Sequence, residues 1–277
     1  MQGHGEHARI GFIGGGNMAR AMIAGLVASG HPATGIRVAE PDGGQREALS
    51  GAWPGLEASD DNAAVAAWAD IAVLAVKPQV MPDVARALSA VDEPPLYLSI
   101  AAGIRSHDLA GWLGGARVVR SMPNQGALVG HSATGLHTHE TLAPEERDAV
   151  EGLARAMGSA FWVAEEADID AVTAIAGSGP AYFFLLMEYL EQAGRDFGLD
   201  DDTVRRMVRD TATAAARIAD DSESPVATLR ARVTSPGGTT AAAIDHLTDK
   251  GVAALFADAF ERARRRAGEL ADAASNT

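Results

Sequence analysis

Arg9-Ile10-Gly11-Phe12-Ile13 runs without a break into Gly14-Gly15-Gly16-Asn17-Met18-Ala19, an apolar strand-like stretch followed at once by a glycine-rich turn. The turn fits the pattern G-x-G-x-x-A. There Gly14 allows the sharp bend from strand to helix, Gly16 lets the backbone approach a pyrophosphate, and Ala19 lets the helix pack close to the strand. The pyrophosphate then lies on unpaired N–H groups at the positive end of a helix beginning near Asn17 and Met18, with Gly15 between the two working glycines. In a chain with 30 glycines such a pattern is weak by itself, and its surroundings carry the reading. Met18, Met22, Ile23, Leu26 and Val27 mark an apolar helix face after the turn, and Gly35-Ile36-Arg37-Val38-Ala39-Glu40 forms a second strand-like run. That run ends in an acid about 20 residues past Ala19, where the fold needs an acceptor for a ribose 2′-hydroxyl.

Composition bounds what the rest can be. With 277 residues and 47% hydrophobic content the chain can bury a real core in one large or two medium domains. Its net charge of −14 argues against nucleic acid or an anionic membrane surface as a main partner, so an anionic substrate has to be held by local donors. The absence of cysteine removes disulfides, thiolate nucleophiles and cysteine metal sites, and is compatible with a reducing cytoplasm. No uninterrupted apolar run has the length of a membrane helix, so no membrane partner is expected, and Met1 to His7 reads as a short lead without an apolar signal core.

Short apolar runs alternate with helical segments as far as about residue 164, the pattern of a parallel sheet with crossover helices. Strands are expected over 9–13, 36–40, 71–75, 96–100, 118–122, 133–136 and 160–163, with helices over 60–68, 81–88, 107–112 and 144–157. From about Asp168 the strand signal vanishes, and helices are expected over 181–197, 202–219, 225–232, 240–247 and 252–273. The division is thus a dinucleotide-binding domain over 1–165 and an all-helical domain over 166–277. Ala181-Tyr182-Phe183-Phe184-Leu185-Leu186-Met187 is apolar on every side, so it must be covered on every side. It lies either deep within its own domain or across into a second subunit, and in so small a helical domain the second is expected, a homodimer built through the helical domain.

The chemistry is sought beyond the carboxyl ends of the strands. Three such ends stand out: Ala75-Val76-Lys77-Pro78, Ser99-Ile100-Ala101-Ala102-Gly103 and Ser121-Met122-Pro123-Asn124-Gln125-Gly126. Lys77 is one of only two lysines, with Lys250. In the helical half, Gly177-Ser178-Gly179-Pro180 leads into one helix and Ser235-Pro236-Gly237-Gly238-Thr239-Thr240 into another. The second of these combines exposed N–H groups, hydroxyls and a helix start, a cradle suited to a small carboxylate. His137 and His139 share a strand face beside Glu140, but no third ligand is implied and no metal is expected.

Taken together, these stretches resemble pyrroline-5-carboxylate reductase over nearly the whole chain. The resemblance rests on Ile10 to Met18, Ala75 to Pro78, Ser99 to Ile104, Arg120 to Asn124, Asp170 to Tyr182 and Val233 to Thr240 in their order and spacing. It implies a Rossmann-type α/β dinucleotide-binding domain followed by an all-α dimerisation domain. It also implies reduction of a cyclic imine, 1-pyrroline-5-carboxylate, to L-proline by hydride from NAD(P)H, in dimers that often assemble into decamers. Carried onto this chain, the cofactor residues are Gly14, Gly15, Gly16, Asn17, Met18, Glu40, Asn62, Ala75, Val76, Lys77, Ala101, Ala102, Met122, Pro123 and Asn124. The substrate residues are Glu223, Ser235, Gly237, Gly238, Thr239 and Thr240, with Thr240 placed to hydrogen-bond the ring nitrogen and relay its proton. Two departures matter. Gln125-Gly126 stands where the family usually reads Thr-Pro, which points to a looser loop beside the nicotinamide. Glu40 stands where relatives commonly carry a hydroxyl or a nearby basic group, and a carboxylate there disfavours a 2′-phosphate, so NADH is expected over NADPH unless Arg46 folds back. The competing readings are an NAD(P)H-sensing module, which has no use for the cradle, and a broader cyclic-imine reductase, which would lose it.

Overall fold

The computed structural model describes residues 7–275, and the lead read over Met1 to His7 lies, but for His7, outside the described part. Its strands are β1 (Ile10–Ile13), β2 (Ile36–Ala39), β3 (Glu57–Ser59), β4 (Ile71–Leu74), β5 (Leu96–Ser99), β6 (Val118–Met122), β7 (Ser132–His137) and β8 (Gly158–Trp162). They form an eight-stranded sheet ordered β3-β2-β1-β4-β5-β6-β7-β8. Around it stand α1 (Asn17–Ala28), α2 (Gly43–Ala52), α3 (Asn62–Trp68), α4 (Met81–Leu88), α5 (Ser106–Trp112), α6 (Pro144–Arg155) and the short α7 (Asp168–Val172).

Alternation along the strands explains the layers. Phe12, Val38, Val73 and Leu98 face one apolar cluster with Met22 and Ile23 of α1, while Ile13, Ala39, Leu74 and Tyr97 face a second with Met81 and Leu88 of α4. Helices therefore cover both faces, as a parallel sheet requires. A side chain at Gly11 would meet Val65 Cγ1 at 2.9 Å and Ala69 Cβ at 3.0 Å, so glycine lets α3 lie directly on β1.

Three features differ from the sequence reading. Helix α2 and strand β3 were not expected: the Gly43-Gly44 start reads as a breaker, only Leu49 of α2 is buried, and β3 is a three-residue edge strand. The Asp42 carboxylate nonetheless starts α2 by accepting the Gln45 N–H at 2.8 Å. Strand β7 runs antiparallel to β6. The chain between them holds only a 3₁₀ turn (Gln125–Val129), too short for the crossover that a parallel return demands.

The chain divides into two compact units, one running to Ser178 and taking in the residues from Ala263 onward, the other spanning Gly179–Arg262. The second unit contains α8 (Gly179–Asp196), α9 (Asp201–Asp220), α10 (Val226–Arg232), α11 (Thr239–Asp249) and the first part of α12 (Val252–Ser275). Asp200 caps α9 by accepting the Thr203 N–H at 3.0 Å. Gly194 lets α8 and α9 approach, since a Cβ there would meet Val204 Cγ2 at 2.8 Å. Tyr182 and Phe260 join α8 to α12 with ring centroids 5.1 Å apart.

Within this second unit only Val204 and Val208 are buried apolar side chains, while Phe183, Leu186 and Leu190 stand exposed along one face of α8. A π-turn (Thr173–Gly177) joins α7 toward α8, and the helical run 168–196 is long and apolar enough to cross a membrane by length and composition alone. This corrects the expectation that no such stretch exists. The charged residues Glu188 and Glu191 are spaced so that no uninterrupted apolar run signals it.

Candidate active site

Register brings the strand ends to one edge. Ile13 pairs with Ala39 and with Leu74, Leu74 with Ser99, and Ser99 with Arg120, so the chain leaves the sheet side by side at Gly14, Glu40, Ala75 and Ile100. Because β1 lies between β2 and β4, the connections diverge beside it and open the crevice in which such sheets bind ligands. Gly14 adopts φ 102°, its N–H donates to the Ala39 carbonyl at 2.8 Å, and a Cβ on it would meet the Ala75 carbonyl oxygen at 2.9 Å. Only glycine fits. Gly15 packs against Leu49, whereas the space beyond Gly16 is open. Gly16 caps α1 without any side-chain hydrogen bond, and this leaves the first N–H groups of the helix, at Asn17 and Met18, available to an anion.

Glu40 is buried at the end of β2. One carboxylate oxygen accepts the Gly15 N–H at 2.9 Å and the other the Asp42 N–H at 3.1 Å. Arg46 does fold back, but its Nη1 donates to the backbone carbonyls of Glu40 at 2.7 Å and Pro41 at 2.8 Å. Its side chain thus shapes the loop after β2. Arg20, which sequence reading passed over, donates from Nε to the Gly15 carbonyl at 3.1 Å and from Nη2 to the Gln45 carbonyl at 3.3 Å. Its place one helical turn after the glycine pattern was the available signal. Asn62 opens α3 half-buried, next to its cap Asp61.

Ala75 and Val76 lie half-buried against the glycine turn, and Lys77 is exposed where a 3₁₀ turn begins. Ala101 is buried and Ala102 exposed after β5. Met122, Pro123 and Asn124 continue β6, and Asn124 organises that loop. Its Oδ1 accepts the Gly126 N–H at 2.8 Å, its Nδ2 donates to the Ala176 carbonyl at 2.9 Å, and its own N–H donates to Ser132 Oγ at 3.0 Å. A side chain at Gly126 would run into the His131 carbonyl. The loop with Gln125-Gly126 is therefore tied at several points.

The remaining expected residues lie in the second unit. Gly237 takes φ 70° in a turn closed by the Gly238 N–H donating to the Ser235 carbonyl at 3.0 Å. That N–H is committed, which leaves those of Gly237 and Thr239 as the open donors of the cradle. Gly238 caps α11 with no side-chain bond, and Ser235, Thr239 and Thr240 are exposed around it. Glu223 is exposed just before α10, and its neighbour Ser224 accepts from Arg232 Nη2 at 3.1 Å.

The His137 and His139 rings meet edge to face, and His139 Nε2 lies 3.4 Å from Glu166 Oε2. Glu166 is already engaged by Arg120, and among the described residues no group of three or more His, Cys, Asp or Glu is arranged to hold a metal.

Comparison with known proteins gives two family matches. Residues 166–270 match the model described as pyrroline-5-carboxylate reductase dimerisation, and residues 9–103 match that described as NADP oxidoreductase, coenzyme F420-dependent. The chain is 46% identical over 95% of its length to a pyrroline-5-carboxylate reductase of Pseudomonas aeruginosa, of which it covers 97%. A solved pyrroline-5-carboxylate reductase of Coxiella burnetii matches with a TM-score of 0.91 at 38% identity, covering 96% of this chain and 99% of that one. A Plasmodium falciparum pyrroline carboxylate reductase solved with NADP bound matches with a TM-score of 0.83 at 25% identity, over 96% of this chain and 99% of that one.

Proposed function

The chain belongs to the pyrroline-5-carboxylate reductase family, an NAD(P)H-dependent oxidoreductase that reduces 1-pyrroline-5-carboxylate to L-proline as a homo-oligomer, and from that premise we propose which of its residues perform the reaction and which nicotinamide they favour. When bound, the reduced nicotinamide supplies the hydride. The glycine turn and the uncapped start of α1 fit its pyrophosphate, since Gly16 leaves the approach open. Ala75 to Lys77, Ala101, Ala102 and Met122 to Asn124 line the nicotinamide half, and Asn62 attends the adenosine.

At the substrate, the N–H groups of Gly237 and Thr239 with the Ser235 hydroxyl grip the carboxylate, and Glu223 steadies the product ammonium. As the imine carbon gains hydride, the C=N electron pair moves to nitrogen, which needs a proton. Thr240 hydrogen-bonds that nitrogen and relays the proton. The observation supporting this assignment is the open, uncapped start of α11 behind the Ser235–Gly238 turn. Thr240→Val lowers kcat by about two orders of magnitude and leaves the cofactor Kd nearly unchanged. Equal loss in both, by stopped-flow turnover and fluorescence titration, assigns the hydroxyl to structure instead.

Glu40 favours NADH. Its buried carboxylate ends β2, the point at which this fold reads the ribose 2′ substituent, and it repels a phosphate while accepting from a free diol. The Plasmodium relative of the same family was solved with NADP bound, so family membership does not favour NADH and the reading rests on Glu40 alone. Glu40→Ser raises kcat/KM for NADPH relative to NADH by about tenfold or more. An unchanged ratio in paired steady-state assays removes Glu40 from the choice. By the family resemblance, in which dimers often assemble into decamers, a decamer in the cytoplasm and without a membrane is the proposed assembly, and light scattering of the detergent-free protein tests it.

A further inference from the structure

We propose that Glu166 is a positioning residue for hydride transfer, its carboxylate fastening together the two loops that line the nicotinamide half. The inference rests on the cofactor placement above. Glu166 Oε1 accepts the Ser106 N–H at 2.6 Å and an Arg120 Nη1 proton at 2.9 Å. Ser106 opens α5 and so ends the loop carrying Ala101 and Ala102. Arg120 lies on β6, two residues before Met122. One oxygen atom therefore joins the helix start at which the first loop ends to the strand from which the second loop leaves.

The environment makes this tie costly to break. Arg120 is 3% exposed and the Glu166 side chain 12%, so each charge is desolvated and depends on the other. Burial by itself raises the Glu166 carboxyl, but the Ser106 N–H and Arg120 outweigh it and hold the group below its usual range. Other charged groups face the same cluster. Asp170 on α7 is raised by burial, Arg105 pairs with Asp272 at 2.7 Å, and His139 reaches Glu166 Oε2. The segment that begins at Glu166 also meets the second loop again, where the Ala176 carbonyl accepts from Asn124. Two anchors on one short segment fix the height of the Met122 to Asn124 loop over the crevice.

A displacement of about 1 Å between reacting atoms costs roughly a hundredfold in rate, so loosening this brace should appear in the chemical step. Two variants separate the brace from mere folding. Glu166→Gln keeps an acceptor and removes the charge. Ser106→Pro deletes the donated N–H together with the Ser106 hydroxyl that also faces Glu166, at a first-turn helix position that tolerates proline and after Arg105, whose ψ of 150° already suits a following proline.

The experiment measures kcat/KM, the primary isotope effect with 4-deuterated NADH, and amide hydrogen exchange in both loops of the whole enzyme. The expected result for each folded variant is a tenfold to hundredfold loss in kcat/KM (about that range for lost alignment), a larger isotope effect, and faster exchange in both loops at once. Unchanged isotope effect and kcat/KM in a folded variant, or faster exchange in one loop only, overturns the proposal. Should Glu166→Gln fail to fold, Ser106→Pro decides by the same readings. Failure of the wild-type enzyme to oxidise cofactor with pyrroline-5-carboxylate would count against the assigned reaction, whereas coupled exchange in the two loops reads the brace independently of turnover.

Discussion

Tyr97 shows how much one polar atom can matter in this core. It is fully buried on β5, its hydroxyl has no hydrogen-bond partner among the described residues, and burial pushes its phenol up to about 12. The folded value lies above the unfolded one of 10.0, so the stability linked to the neutral phenol is complete below the unfolded value and is lost as pH rises toward the folded one. That loss amounts to up to about 3 kcal/mol. Tyr97→Phe removes both the unsatisfied hydroxyl and this alkaline sensitivity, and gains about 1 kcal/mol at neutral pH. Thermal melts of the two proteins between about pH 8 and about pH 11 check it; parallel curves would mean that the hydroxyl is solvated. Residue roles were legible in the sequence where they depend on near neighbours. Gly14 was expected at the sharp bend from strand to helix and takes φ 102° there, and Glu40 was expected at the end of the second strand, where it stands. Glu166 was not legible, because its partners Arg120 and Ser106 lie 46 and 60 residues away and nothing local marks a carboxylate as their shared acceptor.

At the scale of elements, the loop between β6 and β7 is the clearest departure from the family pattern. Its Gly126 supplies the N–H that Asn124 Oδ1 accepts, and there is no room for a side chain beside the His131 carbonyl. Proline, the usual family residue here, lacks the N–H and brings the missing carbon. Gly126→Pro alone therefore destabilises the enzyme by about 2 kcal/mol or more, readable as a lower urea midpoint at unchanged slope. Stability equal to the wild type would show that the loop can adopt the family's form at no cost. The same loop explains an error of direction: the apolar pattern of β7 was legible as a strand, but its antiparallel sense follows from the shortness of the connection. Strands with two buried faces, such as β1 and β4, announced themselves as continuous apolar runs. Helix α2 did not, because its single buried residue leaves no periodicity to read.

At the scale of the molecule, the second unit cannot be complete as one chain. Two buried valines are too little core for five helical segments, and the face of α8 marked by Phe183, Leu186 and Leu190 keeps the spacing of a packing stripe while standing 70%, 56% and 45% exposed. The sequence foretold this from an all-apolar stretch. The dimerisation match over residues 166–270 supports homo-oligomerisation, and a second copy is the covering proposed for this stripe. In a two-fold interface each substitution acts twice, so a change costing about 1.5–3 kcal/mol per buried side chain weakens association by about 3–6 kcal/mol. Leu186→Glu, at the centre of the stripe, should thus raise the dimer Kd by roughly two to four orders of magnitude and yield monomers in sedimentation velocity at micromolar concentration. Far-ultraviolet circular dichroism should retain the sheet and helices of the first unit, because its clusters on β1, β4 and β5 draw nothing from α8. A Leu186→Glu protein that sediments as the wild type does would place the subunit contact on another face and leave this stripe without its assigned partner.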